Sequence, residues 1–380
     1  MSAARRARVA ITVVFALNGA LFATIFSRLP AIQERVDIGE GTLGLALLCS
    51  MLGLLASQLV SGALVARLGS RPVVLGGALG YALGLVPVAF STSFGALALS
   101  LAAVGFANGM LDVAMNVHGL TVERRLGRPI LSTLHAAFSF GALGGSLLGG
   151  ALAGAGLSVP AHLCAVSAAG VLTVVAVTRF LLEPAADSAP EGPLFALPTR
   201  ALALVGLFAF SVLLSEGAVN DWAAIYLSDE VGTSEALAAG GLAAFSLTMG
   251  IGRLAGDRLN ERFGPRRLAR GGASLAAVGL LISLGAATPG SALLGFACAG
   301  LGLAALFPVA LRAAAARGAA EGPAVAAVSA VGYLGFLAGP PAIGGLAELL
   351  GLRSALVLVV ALCALVAALA GAVRAPVRSR

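Results

Sequence analysis

Lysine is missing from this 380-residue chain, and all 24 of its basic residues are arginine. Its absence removes the G-x-x-x-x-G-K-[ST] loop that cradles nucleotide phosphates, so ATP-driven pumping by this chain alone is excluded. Charge is scarce, at 11% of residues, and aromatics reach only 6% with a single tryptophan. A water-facing surface needs far more polar side chains than that. The three histidines, His118, His135 and His162, form no HExxH, and Cys49, Cys164, Cys298 and Cys363 fall singly in four apolar runs. Neither set has the spacing of metal ligands, a disulfide framework or a nucleophile with its base. No metal, no cofactor and no enzyme chemistry are expected. The net charge is +7, but no basic patch interleaves with aromatics, which argues against nucleic acid.

What the chain has in abundance is hydrocarbon: 59% of residues are hydrophobic and the mean hydropathy is +1.00. Crossing a ~30 Å apolar layer takes about 20 residues of helix. Runs of that length lie near 9–29, 43–66, 72–91, 95–118, 131–154, 160–181, 201–227, 237–257, 269–287, 291–311, 323–346 and 353–373. The predicted fold class is all-α integral membrane, with twelve transmembrane helices. The first run is too long for the apolar core of a secretory signal, so it reads as a span. Twenty arginines fall on alternate loops and termini, three (Arg28, Arg35 and Arg353) on the other set, and Arg253 inside a span. The positive-inside bias then predicts a multi-pass protein of the bacterial cytoplasmic (inner) membrane with both termini cytoplasmic.

The segment 183–200 carries four prolines and no apolar face, and reads as a cytoplasmic linker between a bundle over 1–182 and a second over 201–380. An internal repeat supports the division. An offset of 195 carries Arg67, Gly69 and Arg71 onto Arg262, Gly264 and Arg266, Gly105 onto Gly300, and Gly144, Gly149 and Gly150 onto Gly339, Gly344 and Gly345. Two pseudo-symmetric six-helix halves are an architecture that binds solute at the midplane and rocks around it.

The residues at the second-to-third helix junction, Gly62-Ala-Leu64-Val-Ala66-Arg67-Leu-Gly69-Ser-Arg71, resemble the cytoplasmic signature of the major facilitator superfamily, with alanine in place of its aspartate. The second copy, Arg258 to Arg267, keeps an acid there in Glu261. The resemblance implies that this loop gates the inward face, through Arg67, Arg71, Glu261 and Arg262. Narrower similarity, to the fucose-permease-related, YbjJ-like bacterial branch, rests on Leu111-Asp112-Val-Ala-Met115-Asn116-Val-His118, Ser132-Thr-Leu-His135-Ala-Ala-Phe138-Ser139 and Glu216-Gly217-Ala-Val-Asn220-Asp221-Trp222. Gly339-Pro340-Pro341-Ala-Ile-Gly344-Gly345 is similar to the superfamily's antiporter-associated motif, displaced into the later repeat.

Ionisable groups in hydrocarbon cost at least ~2.5–3.5 kcal/mol near a helix centre, so each asks for a reason. Asn108, Asp112 and Asn116 follow an i, i+4, i+8 spacing and share one face of the fourth span. His135 lies at similar depth on the antiparallel fifth span. Asp112 and His135 are therefore read as a proton-coupling pair, with a static buried network as the bland alternative. The same offset places Phe307 opposite Asp112, Leu303 opposite Asn108, Ala330 opposite His135 and Leu334 opposite Ser139, so this constellation occurs once. Glu216, on a glycine-interrupted seventh span, is read as a third proton or substrate site. Asn18, Asn108, Asn116, Ser139, Asn220, Trp222 and Tyr333 are the candidate solute contacts; for Trp222 the competing reading is an interfacial belt ring. Arg253 and Asp257, one turn apart, suggest a salt bridge within the gate.

The sum is a secondary active transporter, expected to be monomeric, bathed in membrane lipid, and moving a small polar solute (sugar- or nucleoside-like) with H+ by alternating access. Proton-antiport efflux of a drug or metabolite is the rival reading.

Overall fold

Inside a bilayer a backbone N–H or C=O has no water to bond, so a long apolar run satisfies itself as a helix. The computed structural model describes residues 2–127, 130–183, 202–317 and 321–374. Among them are twelve helices long and apolar enough to span a membrane. The first half comprises α1 (Ala3–Ser27), a short α2 (Leu29–Val36), α3 (Glu40–Leu68), α4 (Ser70–Phe90), α5 (Phe94–Leu126), α6 (Leu131–Gly154) and α7 (Val159–Thr178). The second comprises α8 (Ala203–Ile225), α9 (Glu235–Phe263), α10 (Pro265–Ala286), α11 (Pro289–Leu303), α12 (Leu306–Ala315), α13 (Glu321–Leu350), α14 (Leu352–Ala355) and α15 (Val357–Ala368). The linker read over 183–200 lies outside the described residues beyond Glu183.

Helix starts follow side-chain chemistry. The hydroxyls of Ser2, Ser93 and Ser158 accept from the backbone N–H of Arg5, Ala96 and Ala161, and Thr288 with Ser291 closes a reciprocal capping box. The expected tenth span, 291–311, is broken: α11 ends at Leu303 and α12 begins at Leu306. Pro308 explains the break, because it has no N–H to offer the Ala304 carbonyl four residues back.

The sequence repeat recurs in backbone geometry. Gly69 and Gly264 both take positive φ, 81° and 75°, and each N–H caps a helix end, bonding the carbonyls of Val65 and Asn260. Those carbonyls are themselves 195 residues apart. A side chain at either glycine would strain the reversal between two helices. Close helix contact repeats as well: a Cβ on Gly105 would collide with the Ser50 carbonyl, and one on Gly300 with the Phe245 carbonyl, again at the same offset.

Two compact units result. The first comprises residues 1–190 with Thr233–Ala243, the start of α9; the second comprises 191–232 and 244–380. Within the first, α1 packs along α6, α3 along α5, and α4 on α5 and α7; within the second, α8 packs on α13, and α10 on α11 and α15.

The three arginines that break the positive-inside pattern are each bound at a helix end. Arg28 donates to the Leu157 carbonyl beyond α6 at 2.9 Å, Arg35 to the Ala89 carbonyl in α4 at 2.9 Å, and Arg353 to the Leu284 and Gly285 carbonyls of α10 at 2.7 and 3.0 Å. A guanidinium at a helix C-terminus meets both free carbonyls and the negative end of the dipole. Arg28, 3% exposed, also forms an ion pair with Glu235 of the α9 segment belonging to the first unit. Burial pulls its guanidinium below the usual value, and Glu235 pulls it back.

Candidate functional site

In the first unit the polar groups collect on α1, α5 and α6. On α5, Asn108, Asp112 and Asn116 are all partly buried, and Asn116 Nδ2 donates to Asp112 at both its backbone carbonyl, 2.8 Å, and its Oδ1, 3.1 Å. The stripe is thus internally braced. No ion pair among the described residues includes Asp112. From α1, Asn18 is 2% exposed and donates Nδ2 to the Met115 sulfur at 3.7 Å. Met115 lies three residues from Asp112 on nearly the same helix face, so Asn18 approaches the stripe. The Oδ1 atoms of Asn18 and Asn108 are buried with no hydrogen-bond donor. Two uncompensated amide carbonyls call for something that donates.

His135 packs against α1. Its ring meets Phe15 of α1 edge-on, with centroids 5.4 Å apart, whereas Asp112 is held by Asn116. Within this unit α6 runs along α1, while α5 runs along α3 and α4. Ser139, 2% exposed, returns its hydroxyl to the His135 carbonyl at 3.3 Å.

In the second unit, Glu216 Oε1 accepts from Arg253 Nη2 at 3.0 Å, with the side chains 14% and 21% exposed. Sequence spacing matched Arg253 with Asp257, whose side chain lies outside the described residues. Beside the pair, Gly217 leaves room for the Phe336 ring, Phe336 stacks on Tyr333 at 6.5 Å, and Tyr333 meets Phe307 at 6.2 Å. Tyr333 is 42% exposed. Phe307 follows the helix break directly, and the break packs on α9 at Gly252 and Gly256, which flank Arg253. Asn220 is partly buried. Trp222 is fully buried and its Nε1 has no acceptor, which overturns the belt reading and closes the ring to solute in this structure.

Of the gate residues, Arg67, Glu261 and Arg262 are exposed. Arg71 makes an exposed ion pair with Glu183 at 3.6 Å. Next to it sits a joint that sequence reasoning missed. The Leu182 N–H donates to His118 Nε2 at 3.2 Å, which leaves the ring proton on Nδ1 facing Ser70 Oγ at 2.6 Å. His118 is wholly buried, and it ties the start of α4 to the chain leaving α7. Only its place beside Ser70, which follows the Gly69 turn and is 48 residues away in sequence, would have signalled it.

This fold and this distribution of polar groups define a membrane transporter. The chain belongs to the Major Facilitator Superfamily, whose family model matches residues 11–225 and 205–380. It is 32% identical over 367 residues to an uncharacterized MFS-type transporter of Yersinia pestis, covering 96% of this chain and 95% of that one. A transporter of Sinorhizobium fredii is 34% identical over 369 residues, covering 94% and 95%. Among solved structures, a mutant of the nucleoside transporter NupG superposes with a TM-score of 0.76 at 15% identity, covering 96% of this chain and 99% of that one.

Proposed function

We propose that this transporter moves a small polar organic solute, sugar- or nucleoside-like, across the bacterial cytoplasmic membrane by alternating access coupled to protons. The observation that carries the reading is the pair of donorless carbonyls, Asn18 Oδ1 and Asn108 Oδ1, beside the Asp112 carboxylate. A solute hydroxyl or ring N–H supplies the missing donors, and an anionic solute is repelled by the carboxylate. Asp112 carries the coupling proton, with His135 and Glu216 assisting. Asn116, Ser139, Asn220 and Tyr333 contact solute, and Arg67, Arg71, Arg253, Asp257, Glu261 and Arg262 form the cytoplasmic gate. Both termini are cytoplasmic, the halves are 1–182 and 201–380, and the chain falls in the fucose-permease-related, YbjJ-like branch. The nucleoside specificity of NupG lends support to the solute class. The test is uptake of labelled uridine and glucose into liposomes with an internal pH dye. Solute-driven pH change that disappears in Asp112→Asn supports the proposal; pH-silent uptake, or coupling intact in Asp112→Asn, refutes it.

A further inference from the structure

Away from the polar groups of the spans, the second unit contains a cavity of about 460 Å³ lined by Phe263, Gly264, Pro265, Arg266, Arg267, Arg270 and Arg374. Four arginines contribute to the lining of one concavity, and no carboxylate does. No ion pair among the described residues includes any of the four. Arginines needed only to set topology can spread through a loop into water, and their self-repulsion favours that. Four arginines and no carboxylate around one hollow favour an anion there. The N-terminus of α10, a 22-residue helix whose N-cap is Gly264, opens on the same hollow and adds the positive end of its dipole.

The face of α10 below the cavity says where the anion comes from. Arg267 and Val278, like Arg270 and Leu281, are eleven residues apart, three turns of helix, so both arginines stand above the stripe that carries these apolar side chains. Val278, Leu281 and Ile282 are 55%, 57% and 49% exposed. At the mouth, Phe263 is 46% exposed. A phosphate at the arginines thus sits about 16 Å above exposed hydrocarbon on one helix face. That is the layout of a headgroup with its acyl chain, not of a free ion. The geometry points to a binding site for the phosphate headgroup of an anionic membrane lipid, held by Arg266, Arg267, Arg270 and Arg374 with its chain laid along α10.

Native mass spectrometry of the detergent-purified protein, offered dioleoylphosphatidylglycerol and dioleoylphosphatidylcholine in equal amounts, tests this with identical tails and different charge. The phosphatidylglycerol adduct should dominate, and each arginine should contribute on the order of five-fold. Arg267→Gln/Arg270→Gln should then lower retention by roughly 30-fold, while Arg258→Gln, an exposed arginine outside the cavity, leaves it unchanged. Equal retention of the two lipids overturns the proposal. So does an Arg258→Gln loss matching that of the double variant, which would mark a diffuse field. Displacement of the lipid by millimolar inorganic phosphate would assign the site to a free anion and overturn the lipid. Unaltered thermal unfolding of the variants shows that any loss is one of binding.

Discussion

Arg253→Gln removes the cation from a pair whose closest atoms are 3.0 Å apart and whose side chains are only 21% and 14% exposed. At an effective dielectric near 20, two unit charges about 4 Å apart attract by ~4 kcal/mol, and much of that offsets the desolvation of both ions. The intact pair therefore adds little net stability. Breaking it is another matter, because Glu216 is left with its desolvation uncompensated. Fully buried pairs lose ~3–5 kcal/mol on such a break, and the residual exposure here reduces the figure to about 2–3 kcal/mol. Neutralising both, Glu216→Gln/Arg253→Gln, leaves two amides that can bond to each other and should restore most of the loss. The assay is a double-mutant cycle on unfolding of the detergent-purified protein, with liposome uptake measured in parallel. A coupling energy of at least ~1.5 kcal/mol is expected. If the double variant is as damaged as the sum of the singles, the two side chains are not paired in the folded protein and the reasoning fails.

Three further perturbations probe the scaffold. Glu235→Gln leaves the Arg28 guanidinium, 3% exposed, with the hydrogen bond to the Leu157 carbonyl but without its carboxylate, and should cost about 2 kcal/mol, read as a lower unfolding temperature; Arg28→Gln/Glu235→Gln should recover part of it. His118→Leu removes the acceptor of the Leu182 N–H, for about 1–3 kcal/mol, and should speed proteolysis just after residue 182; unchanged cleavage would show that the joint does not hold that segment. Gly105→Val and Gly300→Val should each block folding or cost more than ~3 kcal/mol by forcing helices off the Ser50 and Phe245 carbonyls, whereas Gly76→Ala, with nothing within 4 Å, should be neutral or gain up to ~1 kcal/mol in the same unfolding assay.

Helix number and span limits were legible because a bilayer makes one demand, about 20 apolar residues with every backbone group bonded, and α4, α6 and α10 begin and end within a few residues of the runs read from hydropathy. The interruption before Leu306 was hidden because Ala304 and Ala305 are as apolar as their neighbours; Pro308 was the available sign. The candidate site was legible only in part. Asn108, Asp112 and Asn116 share a helix, so spacing alone put them on one face. Glu216 with Arg253, and His135 with Phe15, come from different helices, and chain order gives no guide to which spans pack side by side. For Arg28 a clue was present. An arginine on the sparsely charged side of the membrane is an exception that requires a partner, and Arg28, Arg35 and Arg353 all have one.

The repeat sharpens the question of which charge takes part in transport. Turns and close contacts at Gly69 and Gly264, and at Gly105 and Gly300, survive in both halves, while three charged positions inside the spans do not: Asp112 corresponds to Phe307, and Glu216 and Arg253 correspond to Leu21 and Gln58. Each half therefore carries its own electrostatic feature, and the two differ in kind. The second unit holds a neutralised pair, whose summed charge changes little with surroundings. The first holds a carboxylate that is bonded by the Asn116 amide and enters no ion pair among the described residues, a group that on a lone helix would cost at least ~2.5–3.5 kcal/mol. The pH dependence of transport should accordingly reside in Asp112. Uptake by Asp112→Asn should be flat across the range in which the wild type varies, while Glu216→Gln/Arg253→Gln, which removes only an assisting group, should keep a pH-dependent profile. A flat profile in that double variant, with the dependence intact in Asp112→Asn, would move the coupling group to the second half and reverse this assignment.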